Sequence, residues 1–591
     1  GKTLEEDFEI EEDAIALDGV VVSANRSETT RRMAPTLVNV VDLKLFETTN
    51  SSTLSQGLNF QPGVRVETNC QNCGFQQVRI NGLDGPYTQI LIDSRPVFSA
   101  LSGVYGLEQI PASMIERVEV MRGGGSALFG SSAIAGTINI ITKEPLRNSG
   151  QLSHTITSLG GSSSFDNNTS LNASLVTDDH RAGLYIFGQN RYRSGYDYDG
   201  DGFTELPKLK NQTVGFRSYL KTSTYSKLTF EYHHMQEFRR GGDMLNRPPH
   251  EAHIAEQLQH SIDGGSLKFD YFSPDEKNRL SVFASAANTD RDSYYGPGND
   301  PLKAYGKTTD LTAMGGAQYV HTFDKCFFMP SDLTAGLEYN RDRLKDNMWG
   351  YNRHTDQTVN IYSAFLQNEW KNDRWGILIG GRLDKHNMVD NVIFSPRANL
   401  RFNPTQNINL RLSYSSGFRA PQAFDEDMHI ENVGGTVAMI ERAKDLKEEK
   451  SQSFSASADM YHRFGAFQTN LLIEGFYTRL TDVFVLGEPY DRGDGILVKT
   501  RSNGPGAKVM GLTLEGKVAY LSILQIQAGL TLQRSRYDEP HKWHDDAPAE
   551  KKIFRTPDTY GYFTATCTPI KPLSIALSGT YTGLSLIHIS E

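Results

Sequence analysis

"VEVMRGGGSALFGSSAIAGTINIITK", residues 118–143, sets a strand-like run against three consecutive glycines and a stretch of small residues. A Gly-rich turn between a strand and a helix can cradle a phosphate, so nucleotide binding is the first reading to test. A nucleotide-hydrolase loop needs Lys and Ser or Thr after its glycines, and a dinucleotide loop needs a third Gly at a fixed offset. Gly123, Gly124 and Gly125 are followed by Ser-Ala-Leu-Phe-Gly, which satisfies neither. These glycines therefore read as structural, letting the backbone turn sharply and approach neighbouring chain closely.

The rest of the chain says what that neighbouring chain is. At 591 residues the sequence is several times a typical domain, yet only 38% of it is hydrophobic and its 26 Tyr, 30 Phe and 53 Gly favour β structure with many turns. The net charge of -10 and the lack of a long Lys/Arg run argue against nucleic acid as a partner. No stretch of about 18 apolar residues forms a spanning helix, but a transmembrane barrel hides its signal in alternating segments of about 10 residues.

Such segments dominate from about residue 150 onward. In "SKLTFEYHHMQEF" (226–238), Leu228, Phe230 and Tyr232 share one face, while Thr229, Glu231, His233 and Met235 share the other. Roughly nineteen comparable segments follow one another. Their connections alternate between short ("SPDEKN", "KNDR", "NPTQN", "RFGA", "PIKP") and long, the long ones at 194–211, 239–262, 290–309, 345–358, 417–449, 481–507 and 538–557. Barrels of the outer membrane keep short turns on the periplasmic side and long loops outside, with an apolar lipid face and a polar lumen. A β-solenoid would need a fixed sequence repeat, and none is visible.

The opening stretch closely resembles the end of the plug domain of TonB-dependent outer-membrane receptors. Further plug landmarks stand in order: "LSQGLNFQPGVRV" (54–66), "VRINGLDG" (78–85), "ILIDSRPV" (90–97) and "IPASMIERVEVMRG" (110–123). The barrel part carries the family's "GFRAP" at 417–421. "DLKEEKS" at 445–451 stands where the family has an Asn-Pro-containing pattern, and Asn-Pro is absent. The resemblance implies a mixed α/β plug inside an antiparallel transmembrane β-barrel of about 22 strands, of which about nineteen are present. It divides the chain into a periplasmic segment (1–30), the plug (31–147), the barrel (148–583) and a tail (584–591). That tail, "LSLIHISE", lacks barrel alternation and reads as non-native sequence, so a barrel about three strands short and unsealed is expected. The acidic opening likewise suggests that targeting sequence is missing. "LDGVVVSANR" (17–26) occupies the place of the TonB box, with Leu17, Asp18, Gly19, Val20, Val21 and Val22 as its core. A short β-branched run can add as a strand to a partner's sheet; the competing reading is the plug's first strand.

Candidate ligand contacts fall at the plug apex and in the long loops. Cys70 and Cys73 ("NCQNCG") form half a zinc site without a second pair, leaving a local disulfide or a soft-metal or substrate contact. Cys326 and Cys567 receive no role. In "YDYDGDGFTE", Asp197, Asp199, Asp201, Gly202 and Glu205 follow calcium-loop spacing, although Lys208 stands at the twelfth position; the alternative is a solvated acidic loop. An Asp-rich calcium loop is familiar in the family's cobalamin transporters. His233, His234, His250, His253 and His260 crowd one outer loop region, with Met235 and His233 facing the lumen by strand parity. His429 follows "GFRAP", where the family's haem receptors carry a ligating histidine. The plug histidine those receptors also use is missing, since the first His of the chain is His154.

The expected function is active transport of an iron complex, siderophore or haem, with cobalamin as the alternative and uptake of a metal ion such as copper or zinc third. The expected partners are TonB with its inner-membrane energising complex, the ligand, outer-membrane lipid and a surface lipoprotein lid. No cofactor is required; calcium in the 194–211 loop is the ion expected as a bound component of the protein itself. No nucleophile–base pair or paired carboxylate points to an enzyme.

Overall fold

The computed structural model describes residues 19–70, 74–96, 108, 110–297, 304–433, 436–541, 548–570 and 572–585. Leu17, Asp18, Cys73 and most of the 584–591 tail lie outside the described residues.

From residue 149 onward, alternation becomes wall. Among the described residues twenty strands follow one another in the order of a closed barrel, from Ser149–Ser158 round to Leu573–Thr582. One of the twenty is only Glu550–Lys552, a short piece inside the long 538–557 connection, which explains why about nineteen were visible in the sequence. Neighbouring strands pair antiparallel, as in the register Met235↔Ile262. The first and last strands differ from the rest in being exposed along both faces.

The two faces of the wall divide as the alternation requires. Leu171, Phe230, Leu337, Leu366, Ile379 and Leu412 are exposed outward, while Arg191, Arg239, Arg291, Asp310 and Glu515 are buried inward. Aromatic rings gather at the short turns: Trp375 stacks on Phe402 at 4.3 Å, and Phe464 on Phe467 at 5.4 Å. Such girdles mark the membrane–water boundary. Among the described residues no helix is long and apolar enough to cross a membrane; the crossing is made by strands. The strand Tyr305–Cys326 has 22 residues, about 70 Å of extended chain, far more than a tilted strand needs for an apolar band about 25 Å tall. The outer halves of these long strands therefore stand above the membrane, as a vestibule.

The plug fills the lumen. Its sheet runs in the order Val38–Asp42, Ile115–Arg122, Gly136–Thr142, Thr88–Ile92, with the last pair parallel. A separate hairpin, Val64–Cys70 with Phe75–Ile80, rises toward the outer loops. The opening stretch resolves into strand, turn, a four-residue helix Ser126–Phe129 and strand. Gly123 adopts φ +80°, and a Cβ on Gly124 would lie 2.2 Å from Ser415 Oγ on the barrel wall. Both glycines are thus fixed by a turn and by close approach.

Candidate functional site

The outer end of the plug is the tip of the 64–80 hairpin. Gly74, at φ +68°, makes the return turn, and its carbonyl accepts from Arg239 Nη1 at 3.3 Å. Strand pairing brings Cys70 opposite Phe75 at this tip. Cys70 Sγ donates to Glu256 Oε2 at 3.2 Å; Glu256 is the third residue of the strand Ile254–Phe272, at its outer end. His429 arrives from the loop after the "GFRAP" strand, its Nε2 3.6 Å from the same Glu256 oxygen. Its ring meets Tyr295 edge-on at 5.4 Å. The donor atoms of Cys70, Glu256 and His429 all lie within 4.8 Å of one another. Burial disfavours the imidazolium, but the hydrogen bonds and charge of Cys70 and Glu256 hold His429 well above its ordinary pKa of 6.5. Two residues singled out on separate grounds, Cys70 and His429, thus converge, and Glu256 joins them. Glu256 shares the inward parity of Leu258 and His260, a signal available in the sequence but silent about its neighbours.

Beside this point Glu108 of the plug meets three barrel guanidiniums: Arg239 at 2.8 Å, Arg193 at 3.2 Å and Arg191 at 3.5 Å. Burial alone would raise its pKa, but these cations hold it down to about 2.

The "GFRAP" and "DLKEEKS" motifs meet each other. Arg419 lies 3.6 Å from Glu449 and caps the ring of Phe424 at 4.2 Å, while Tyr87 of the plug donates to Glu449 at 2.8 Å. Plug and barrel are joined again where Ser132 N–H donates to the Phe418 carbonyl at 3.0 Å.

At the opposite, periplasmic end lie the described box residues, Gly19–Val22, and the segment that follows them. Val20–Val21 pairs with Thr29–Thr30 as a two-stranded sheet separate from the plug's own. Gly19 accepts from Arg31 N–H, and Val21 is fully buried while Val20 is exposed. Glu119, fully buried on the strand Ile115–Arg122, accepts from Val22 N–H at 2.9 Å, Ser23 N–H at 2.8 Å and Ser23 Oγ at 2.8 Å. Arg26 then reaches across to the barrel, 2.6 Å from Glu338 and over the rings of Phe365 and Phe129. Glu119, Arg26 and Glu338 were not singled out from sequence, because nothing in a local pattern names a partner some hundred or three hundred residues away.

The remaining candidates lie apart from the apex. Asp197, Asp199 and Glu205 bring carboxylate oxygens together on an exposed loop, while Asp201 turns into its own bend and accepts from Phe203 N–H at 2.8 Å. His233 and Met235 are buried on the lumen face as parity requires, but midway along their strand, where His233 packs against Gly264. His250 pairs with Tyr305 Oη at 2.9 Å, and the largely exposed His253 with Asp243 at 2.6 Å.

Fold and site together define a transmembrane β-barrel whose lumen is filled by its own N-terminal domain, with contacts to that domain at both mouths. Residues 30–137 match the family described as TonB-dependent Receptor Plug Domain, and residues 136–584 match TonB dependent receptor-like, beta-barrel. The chain belongs to the TonB-dependent receptors, a family of outer-membrane transporters rather than enzymes. It is 24% identical over 425 residues, 69% of this chain, to a vitamin B12 transporter BtuB of Vibrio vulnificus strain CMCP6. A second BtuB, of strain YJ016, is 33% identical over 174 residues, 28% of this chain. The chain spans 64% and 28% of the lengths of these curated relatives. In fold it is similar to the siderophore receptor PirA of Acinetobacter baumannii, with TM-score 0.76, 17% identity, and 93% of this chain and 86% of that one covered. A mutant of the ferric enterobactin receptor PfeA of Pseudomonas aeruginosa gives TM-score 0.74 at 18% identity, covering 94% and 86%.

Proposed function

We propose that this chain is an active importer of a metal-centred nutrient, driven by TonB acting on residues 17–22, with an iron complex, siderophore or haem, as cargo. The observation that carries the reading is the pinning of residues 22–26, from the last box residue onward, to plug Glu119 and barrel Glu338. A pull on the box is thereby applied to the plug strand and to the plug–barrel seam at once. The names borne by the fold relatives support iron as cargo. Cobalamin is the second reading, supported by the BtuB matches and by the convergence of Asp197, Asp199 and Glu205, an all-oxygen set suited to calcium. A surface lipoprotein over the outer loops belongs to either reading.

Deleting residues 17–22 is expected to abolish uptake while leaving ligand affinity unchanged; equal loss of both would refute energised import. Cargo is assigned by calorimetry on the receptor extracted from membranes, with haem, a ferric catecholate siderophore and cyanocobalamin, each with and without calcium. Calcium-dependent binding of cyanocobalamin alone would replace the iron reading.

A further inference from the structure

At Cys70, Glu256 and His429 three chemically distinct donors from three separate elements meet. Metal–ligand distances of about 2.0–2.3 Å in a tetrahedral site place ligand atoms roughly 3.3–3.7 Å apart. Of the observed separations, 3.6 Å from His429 Nε2 to Glu256 Oε2 lies within that range and 3.2 Å from Cys70 Sγ to the same oxygen just below it, and all three donor atoms lie within 4.8 Å of one another. Glu256 and His429 side chains are only 5% and 17% exposed. Their surroundings are apolar and aromatic: Tyr294, Tyr295, Met348 and Ile430 belong to the core cluster on which Cys70 packs. Tyr295, edge-on to the imidazole, restricts its rotation, as supporting groups around metal ligands do.

We propose that Cys70, Glu256 and His429 form a binding site for a borderline divalent transition-metal ion, Zn2+ being the reference cation, and that the ion ties the plug apex to the outer loop. The donor set selects the ion. Thiolate, imidazole and carboxylate together suit Zn2+ or Co2+, whereas calcium and magnesium take oxygen ligands only. Three protein ligands leave one tetrahedral position open to water or to a group from outside. A ferric ion already wrapped in a siderophore has no position to offer a thiolate, whereas haem iron has axial positions that a thiolate or imidazole can take; the titration is therefore run without haem, and its outcome leaves TonB-driven transport standing.

The test uses the intact receptor, reduced, in detergent, titrated first with Co2+ and then with Zn2+. One equivalent of Co2+ is expected to give a thiolate-to-cobalt charge-transfer band that Zn2+ abolishes by displacement. Cys70→Ser should remove the band, and Glu256→Gln and His429→Ala should weaken Zn2+ binding by at least about tenfold, the loss seen even for groups that only support a ligand. Cys326→Ser and Cys567→Ser should leave the band unchanged. A reduced wild-type receptor that gives no band, or a band that persists in Cys70→Ser, would overturn the proposal. The first of these outcomes needs no variant to fold.

Discussion

Glu119 is the place to perturb the coupling between box and plug. Its Oε2 accepts three hydrogen bonds, from Val22 N–H, Ser23 N–H and Ser23 Oγ, and its Oε1 accepts from Arg117 Nε at 2.9 Å. Glu119→Gln keeps the shape but removes the charge. Hydrogen bonds to a charged group contribute about 1.5–3 kcal/mol and neutral ones about 0.5–1.5, so each of the three weakens by about 1 kcal/mol, or roughly 2–3 kcal/mol together once non-additivity is allowed for. At about 1.4 kcal/mol per factor of ten, local release of residues 20–23 becomes some 30- to 150-fold more populated. Hydrogen exchange at the Val22 and Ser23 amides should accelerate by that factor while the strands of the barrel stay protected. Affinity for the periplasmic domain of TonB should rise in parallel, because a ligand that needs the released segment is weakened by the fraction still pinned. Unchanged protection at Val22 and Ser23 in a folded Glu119→Gln receptor would refute the view that this carboxylate holds the segment.

Two further outcomes follow from contacts between plug and barrel. Gly124→Ala places a Cβ 2.2 Å from Ser415 Oγ and 3.2 Å from its Cβ, so thermal unfolding should show a loss of about 1–3 kcal/mol, largely restored by adding Ser415→Ala; a loss unaffected by the second change would place the clash elsewhere. Glu108 has a pKa depressed from the ordinary 4.5 to about 2, so its contribution is complete above about pH 4.5 and is lost as pH falls toward 2. The interval corresponds to about 3 kcal/mol, and acid-unfolding curves of Glu108→Gln should lose that part of their pH slope.

The barrel was legible because its physics repeats: each strand must turn apolar side chains to lipid and polar ones to the lumen, and each second connection must reach outside. Leu228, Phe230 and Tyr232 against Glu231 and His233 carry that rule in one segment, and the wall follows it. The site was only half legible. Cys70 and His429 stood out because of motif position, whereas Glu256 looks like any carboxylate near a strand end until register lifts it beside the hairpin tip. The histidine density at 233–260 pointed to a cluster that does not form, because period-two alternation and partners such as Tyr305 and Asp243 distribute those rings along the 28 residues of wall and loop.

What joins the outer cluster to the inner latch is the plug's own core. Val64, Val78 and Ile80 of the apex hairpin share one buried cluster with Val118, Val120, Ile138 and Ile140 of the sheet, and that cluster continues into Tyr185, Phe476 and Val509 of the barrel wall. Glu119 lies between Val118 and Val120 on the same strand, so the residue that receives the pull belongs to the strand whose neighbours support the apex. Burying such apolar side chains contributes about 1.5–3 kcal/mol each, so the seven plug side chains just named sum to roughly 10–20 kcal/mol, against about 5–9 kcal/mol for the three hydrogen bonds to Glu119. Force applied at residues 17–22 must therefore free the segment at Glu119 and Arg26 before it deforms the core. On this ordering Arg26→Ala, which removes the ion pair to Glu338, should lower the force at which the first extension is seen when a single receptor is pulled from its N-terminus, and leave the force of the second, core-breaking event unchanged. A shift of both events by the same amount would mean that latch and core yield as one unit.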